Sequence, residues 1–165
     1  MPAVEVQLHF LRHAHAGDPE RWRGPDEARP LSEKGRRQAE TIGSFLAEAH
    51  FRPDAILSSP KLRALETAEL VGAALAVPVT TLEALGEPLD LAALEKLLAA
   101  AGNPTSPLLV GHDPDFSELV AALIGVEELP LRKGALARID VARPLRHGTG
   151  TLRWLVPPDL LAATE

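Results

Sequence analysis

Arg12 and His13 close an apolar run that begins at Val4, and the chain repeats the arrangement twice: Ser58-Ser59-Pro60 is followed by Arg63, and Gly111 by His112. A strand that halts at a cationic or imidazole side chain presents that group at a pocket mouth, because ligand sites of α/β sheets gather at the carboxyl ends of strands. Two guanidiniums and two imidazoles fit a phosphoryl group, whose oxygens match the planar fork of arginine in bidentate fashion. A neutral imidazole is itself a competent phosphoryl acceptor, nucleophilic at one ring nitrogen and oriented through the other. Nearby arginines disfavour the imidazolium form of His13 and take up the charge that spreads over the phosphoryl oxygens in the transition state. The expected ensemble is an anion pocket with phosphate as its guest.

The elements that must position these groups are readable from periodicity. Residues 4–11 alternate Val4, Val6, Leu8 and Phe10 against Glu5, Gln7 and His9, a strand that ends at Arg12. Residues 17–30 are rich in turn formers and form a long surface loop, in which Asp18, Arg21, Arg23 and Arg29 are candidates for contacting a ligand. Ser32 caps a helix marked by Ala39, Ile42, Leu46 and Ala49 that ends near His50 and Pro53. A short buried strand over 54–58 leads to Ser59-Pro60, read as cap and first-turn proline of a second helix with Ala64, Ala68, Val71 and Leu75 on one stripe. A strand over 77–82, a helix carrying Leu91, Leu94, Leu97 and Leu98, and a buried strand over 107–111 continue the alternation. Asp113-Pro114 opens a fourth helix with Phe116, Leu119, Val120 and Leu123, and strands over 134–141 and 149–156 make an antiparallel finish. The fold expected is α/β: a three-layer α/β/α domain over residues 1–165, with a mixed, mostly parallel central sheet.

Composition bounds the function classes. The chain has 165 residues, 45% hydrophobic and 24% charged, an ordinary globular balance with enough apolar content for one core. A formal net charge of −6 argues against a broad nucleic-acid or anionic-membrane surface, so any basic function is local. With no cysteine, disulfides, thiolate chemistry and cysteine-based zinc sites are excluded. No basic segment precedes a long apolar run near Met1 and no stretch reaches membrane-span length, so the expected location is the cytoplasm. His9, His13 and His15 share one short segment with no carboxylate at ligand spacing and with an arginine beside them, which disfavours a metal site. His50, His147, Trp22 and Trp154 are read as packing or loop residues.

Taken together these motifs resemble the histidine phosphatase superfamily, whose signature is Arg-His-Gly after the first strand and which here reads Leu11-Arg12-His13-Ala14. The superfamily's Ser-Ser-Pro-x-x-Arg-Ala-x-x-Thr segment stands intact as Ser58-Ser59-Pro60-Lys61-Leu62-Arg63-Ala64-Leu65-Glu66-Thr67, and its second histidine follows a strand as Gly111-His112. Arg29-Pro30-Leu31-Ser32-Glu33-Lys34-Gly35, Lys133-Gly134-Ala135-Leu136-Ala137 and the absence of an inserted cap resemble the small SixA-type phosphohistidine phosphatases. The resemblance implies that His13 is the phosphorylated nucleophile, that Arg12, Arg63 and His112 bind the phosphoryl oxygens, that Arg29 adds a contact, and that no cofactor or metal is needed. It also implies a partner that is a phosphorylated protein or a small phosphorylated metabolite, with phosphate as product.

Two departures matter. Ala14 replaces glycine and forbids easy access to positive φ, so the turn after His13 must run through an ordinary conformation or carry strain. No acid that would protonate an alkoxide leaving group sits in a convincing motif; Glu83, Glu87 and Asp18 are the candidates. That suits phosphohistidine, whose imidazole leaves more readily than an alkoxide. The alternatives are a broad small-metabolite phosphomonoesterase, which an essential Glu83 would favour, and a non-catalytic phospho-ligand binding module, which tight phosphate binding without a covalent intermediate would favour.

Overall fold

The structure, a computed structural model, describes residues 4–161. Its strands are β1 (Val4–Arg12), β2 (Ala55–Ser58), β3 (Val79–Thr81), β4 (Pro107–Gly111), β5 (Leu136–Arg143) and β6 (Thr151–Val156). They form one sheet in the order β3-β2-β4-β1-β5-β6. The β1, β2, β3 and β4 pairings are parallel, while β5 runs antiparallel to β1 and β6 antiparallel to β5. Helices α1 (Glu33–Glu48) and α2 (Leu62–Leu75) cover one face, α3 (Leu91–Ala100) and α4 (Asp115–Ile124) the other, and a short α5 (Pro158–Leu161) follows β6. This is the expected three-layer α/β/α arrangement with a mixed, mostly parallel sheet.

The two cores follow from the period of the strands, since successive side chains point to opposite faces. Val6, Leu8 and Phe10 of β1 and Leu109 of β4 join Leu94, Leu98, Phe116 and Leu123 on one side. Leu11, Leu108 and Val110 join Ile42, Ala64, Ala68 and Val71 on the other. All of β4 is buried, as a parallel strand with helices on both faces must be. His9 shares the face of Leu11 and is also buried, giving up an Nδ1 hydrogen bond to the Pro107 carbonyl and packing edge-on to Phe51. Among the described residues no helix is long and apolar enough to cross a membrane.

Several boundaries differ from expectation for local reasons. The third strand shrinks to Val79–Thr81, because α2 runs to Leu75 and closes through Ala76 in the left-handed region, with the Val77 N–H bonded to the Gly72 carbonyl. Ser59-Pro60 does not start α2, whose first residue is Leu62 and whose N-cap, Lys61, makes no side-chain cap bond. Pro114 likewise precedes α4 instead of opening it; Asp113 reaches past it to accept from the Ser117 N–H. Ser32 does cap α1, its Oγ accepting from the Gly35 N–H.

Candidate active site

Because β2, β4 and β1 are adjacent and parallel, their carboxyl ends lie side by side, which brings the three dispersed segments together. The pairing continues past the strands: the His13 N–H donates to the Gly111 carbonyl at 2.9 Å and the Ser59 N–H to Val110 at 3.0 Å. The His13 and His112 rings stand 5.2 Å apart between centroids. Arg63, in the first turn of α2, is buried beside them, and Arg29 comes in from the long loop, also buried. The turn before β5 seals the other flank. Its Gly134 donates one N–H to both the Arg12 and His13 carbonyls at 3.0 Å, a close approach made at φ +80°, where glycine is the residue without a steric penalty.

The hydrogen bonds fix the state of the nucleophile candidate. His13 Nδ1 lies 2.8 Å from the Ala14 carbonyl, an acceptor only, so Nδ1 carries the proton and Nε2 keeps its lone pair. Burial, then the charges of Arg63, Arg12 and Lys133, lower the His13 pKa to about 4. Burial, then His13, Arg63 and Lys61, lower His112 to about 3. Both rings are neutral at neutral pH. Against these neutral rings, the buried side-chain nitrogens without any partner among the described residues are Arg12 Nε, Arg63 Nε and His112 Nδ1. Buried polar atoms are nearly always satisfied, so three such atoms on three residues of one site are an unusual concentration.

The guanidiniums are held from outside the pocket. Arg12 Nη1 donates to the Leu131 carbonyl at 2.8 Å and lies 3.4 Å from Asp113, whose other contacts are the Ser117 hydroxyl and N–H. Asp26 receives Arg63 Nη2 at 3.0 Å and Arg29 Nε at 3.2 Å, while Arg29 Nη1 donates to the Gly17 carbonyl at 2.7 Å. Burial pushes the Asp26 carboxyl up, but the hydrogen bond from Arg29 and the charge of Arg63 outweigh it and hold Asp26 below the usual carboxylate value. Asp26 therefore stays ionised and orients arginines; it does not store a proton.

Arg12, His13, Arg63, His112 and Arg29 are thus assembled, as the sequence predicts. The three acid candidates are not: Glu83, Glu87 and Asp18 are exposed, none bonds to a site residue, and Asp18 faces Arg21 at 3.8 Å. Arg21 and Arg23 are exposed as well. His15 is a loop residue anchored to the start of α1 through Ser32 Oγ at 2.6 Å. Ala14 resolves without strain: it is not among the residues at positive φ, its side chain is fully buried, and its N–H donates to Thr67 Oγ1 at 3.1 Å. Sequence reading misses the partners Asp26, Asp113 and Lys133 and the link from Ser59 Oγ to His112 Nε2 at 2.7 Å. The Ser-Ser-Pro segment carried that last signal, but a serine before proline reads first as a helix cap.

Residues 8–101 match the sequence profile of the histidine phosphatase superfamily (branch 1). The chain is 32% identical to an uncharacterized protein of Picosynechococcus sp., over 92% of this chain and all of that protein. It is 30% identical to the phosphohistidine phosphatase SixA of Escherichia coli, over 93% of this chain and 94% of that one. The solved structure of the protein histidine phosphatase SixA complexed with tungstate superposes with a TM-score of 0.80 at 28% identity, covering 94% of this chain and 99% of that one. The chain belongs to the histidine phosphatase superfamily, and within it is similar to SixA.

Proposed function

We propose that this phosphatase removes the phosphoryl group of a protein phosphohistidine by way of a phosphohistidine on His13. The Nε2 lone pair of His13 forms a P–N bond while the bond from phosphorus to the substrate imidazole breaks. The departing imidazole keeps the electron pair and takes a proton from water. A second water then attacks phosphorus, the bond to His13 breaks, Nε2 recovers its lone pair and phosphate leaves. Arg12, Arg63 and His112 donate to the phosphoryl oxygens in both steps, with Arg29 adding charge at the edge.

The observation that carries this reading is the set of partnerless buried donors, Arg12 Nε, Arg63 Nε and His112 Nδ1, around a neutral imidazole whose Nδ1–H is already engaged. Such fixed donors stabilise transferring phosphoryl charge without reorganising. The tautomer of His112 supports it too. Ser59 Oγ accepts from the Lys61 N–H, so its hydroxyl donates to His112 Nε2, and the single ring proton of the neutral imidazole sits on Nδ1 as the donor. Phosphohistidine is favoured over an ester because, of the two carboxylates that reach the arginines, Asp113 is engaged by Ser117 and Asp26 is held ionised, and an imidazole needs less protonation to leave than an alkoxide does. The similarity to SixA, solved with the tetrahedral oxyanion tungstate, points the same way.

The test is to challenge the protein with a labelled phosphohistidine protein and a panel of phosphomonoesters, trap the phosphoenzyme and map it. Label on His13, lost in His13→Ala together with turnover, is the expected result. A strong preference for esters, or full turnover in His13→Ala, would refute the reading.

A further inference from the structure

Beside the pocket, and sharing Arg12 with it, lies a cleft of about 620 Å³ between the first turns of α1 and the turn that precedes β5. Lys34 and Arg37 stand on the helix wall, Arg132 and Lys133 on the facing wall. All four are exposed, and Lys34, Arg37 and Lys133 have no carboxylate within 4.0 Å among the described residues. The acid on the rim, Asp159, reaches Arg132 only at 4.0 Å with both side chains solvated, a pair of little energetic consequence. Lys133 is further crowded, since partial desolvation of its ammonium and then the charges of Arg12, Arg29 and Arg63 all lower its pKa. In a chain of net charge −6 this is a local reversal of sign, adjoining the candidate active site through Arg12.

We propose that this cleft is a second recognition site, which receives acidic side chains of the protein that carries the phosphohistidine. The inference rests on the phosphohistidine reading above and adds to it the chemistry of the surrounding surface. The cations favour a protein strip over one more small anion. They face each other across two walls, and on α1 they recur at i and i+3, one turn apart; that spacing engages several carboxylates at once. They also solve a physical problem, because an acidic partner is repelled by the molecule as a whole and needs a complementary patch to approach in the right orientation.

The experiment uses two synthetic phosphohistidine peptides of one length, with glutamates or with glutamines flanking the phosphorylated residue, and compares their kcat/KM. The wild-type protein is expected to favour the acidic peptide by about tenfold, mainly through KM. The preference is expected to collapse toward unity in Lys34→Gln/Arg37→Gln and as salt rises from about 0.05 to 0.5 M. Equal use of both peptides, with His13 labelled by each, would overturn the recognition site while leaving the phosphohistidine reading intact. A preference that survives the double substitution would also overturn it. Failure of both peptides to label His13 would overturn both readings. Faster turnover of a small bis-phosphorylated ester, slowed by the same double substitution, would reassign the cleft to a metabolite and overturn the protein partner.

Discussion

Removing one oxygen atom, in Ser59→Ala, is expected to impair turnover without altering any of the residues proposed to hold the phosphoryl group. Ser59 is fully buried, and its Oγ lies 2.7 Å from His112 Nε2 and 3.2 Å from the Lys61 nitrogen. The Lys61 N–H bond to Ser59 is part-buried, so its loss in the variant is the lesser effect. The loss at His112 Nε2 is the greater, since a buried acceptor left without a donor costs about 1–3 kcal/mol. The ring relieves that penalty by moving its proton from Nδ1 to Nε2 or by turning, and either response withdraws the donor from the phosphoryl oxygens. The loss falls on transition-state stabilisation, so kcat/KM should drop roughly 5- to 150-fold. Steady-state kinetics on a phosphohistidine substrate measure the drop, and 15N shifts of the His112 ring report its tautomer directly. A kcat/KM within twofold of wild type, or a wild-type His112 protonated on Nε2, would refute the reasoning.

Two further outcomes follow from groups outside the pocket. Burial lowers the His9 pKa from 6.5 to about 4, so below pH 6.5 the unfolded chain binds a proton that the folded one does not. The stability contributed by keeping His9 neutral is present above pH 6.5 and is lost as pH falls through 4, by roughly 3 kcal/mol. Urea unfolding at pH 7 and pH 4 should therefore show a pH dependence smaller by about that amount in His9→Phe, and an unchanged dependence would contradict it. Gly35→Ala places a methyl on top of the His15 carbonyl oxygen. Overpacking of that kind costs about 1–3 kcal/mol or more, or a fall in Tm of at least about 2–4 °C for a chain of this size; a wild-type Tm would show that α1 does not sit against the His15 backbone.

What the sequence made legible is what depends on neighbours along the chain. Alternation in β1 and the apolar stripes of α1 to α4 are local periodicities, and each returns the right element, although Val4 and Ala49 at the element ends are exposed and His9, read on the polar face, is buried. The strand-end residues Arg12, Arg63 and His112 were legible for the same reason, because parallel strands place their carboxyl ends together whatever lies between them. The unread parts are contacts across large separations. The Asp26 carboxylate meets Arg63, and the Leu131 carbonyl meets Arg12, across separations that no spacing rule relates. Periodicity overextends β3, an edge strand paired only with β2, because the Val77 N–H is taken by the closing turn of α2 through a bond to the Gly72 carbonyl, which Val and Thr content does not announce.

The turn after His13 shows how one unusual residue is accommodated by others. With alanine at 14 the backbone keeps negative φ, and its N–H is directed to Thr67 Oγ1, which itself donates to the Arg63 carbonyl at 2.7 Å. Thr67 thereby ties the backbone next to the nucleophile candidate to the helix that carries the second arginine. The space for this path comes from Gly35, where a Cβ would collide with the His15 carbonyl, and from Gly134, whose positive φ lets one N–H serve the Arg12 and His13 carbonyls together. The conformational freedom that glycine would supply at position 14 is not needed there, because it is supplied by the two segments that pack against the turn. Those segments also carry Lys34 and Lys133, so the close approach that seats His13 is what brings the second cationic wall to the edge of the pocket.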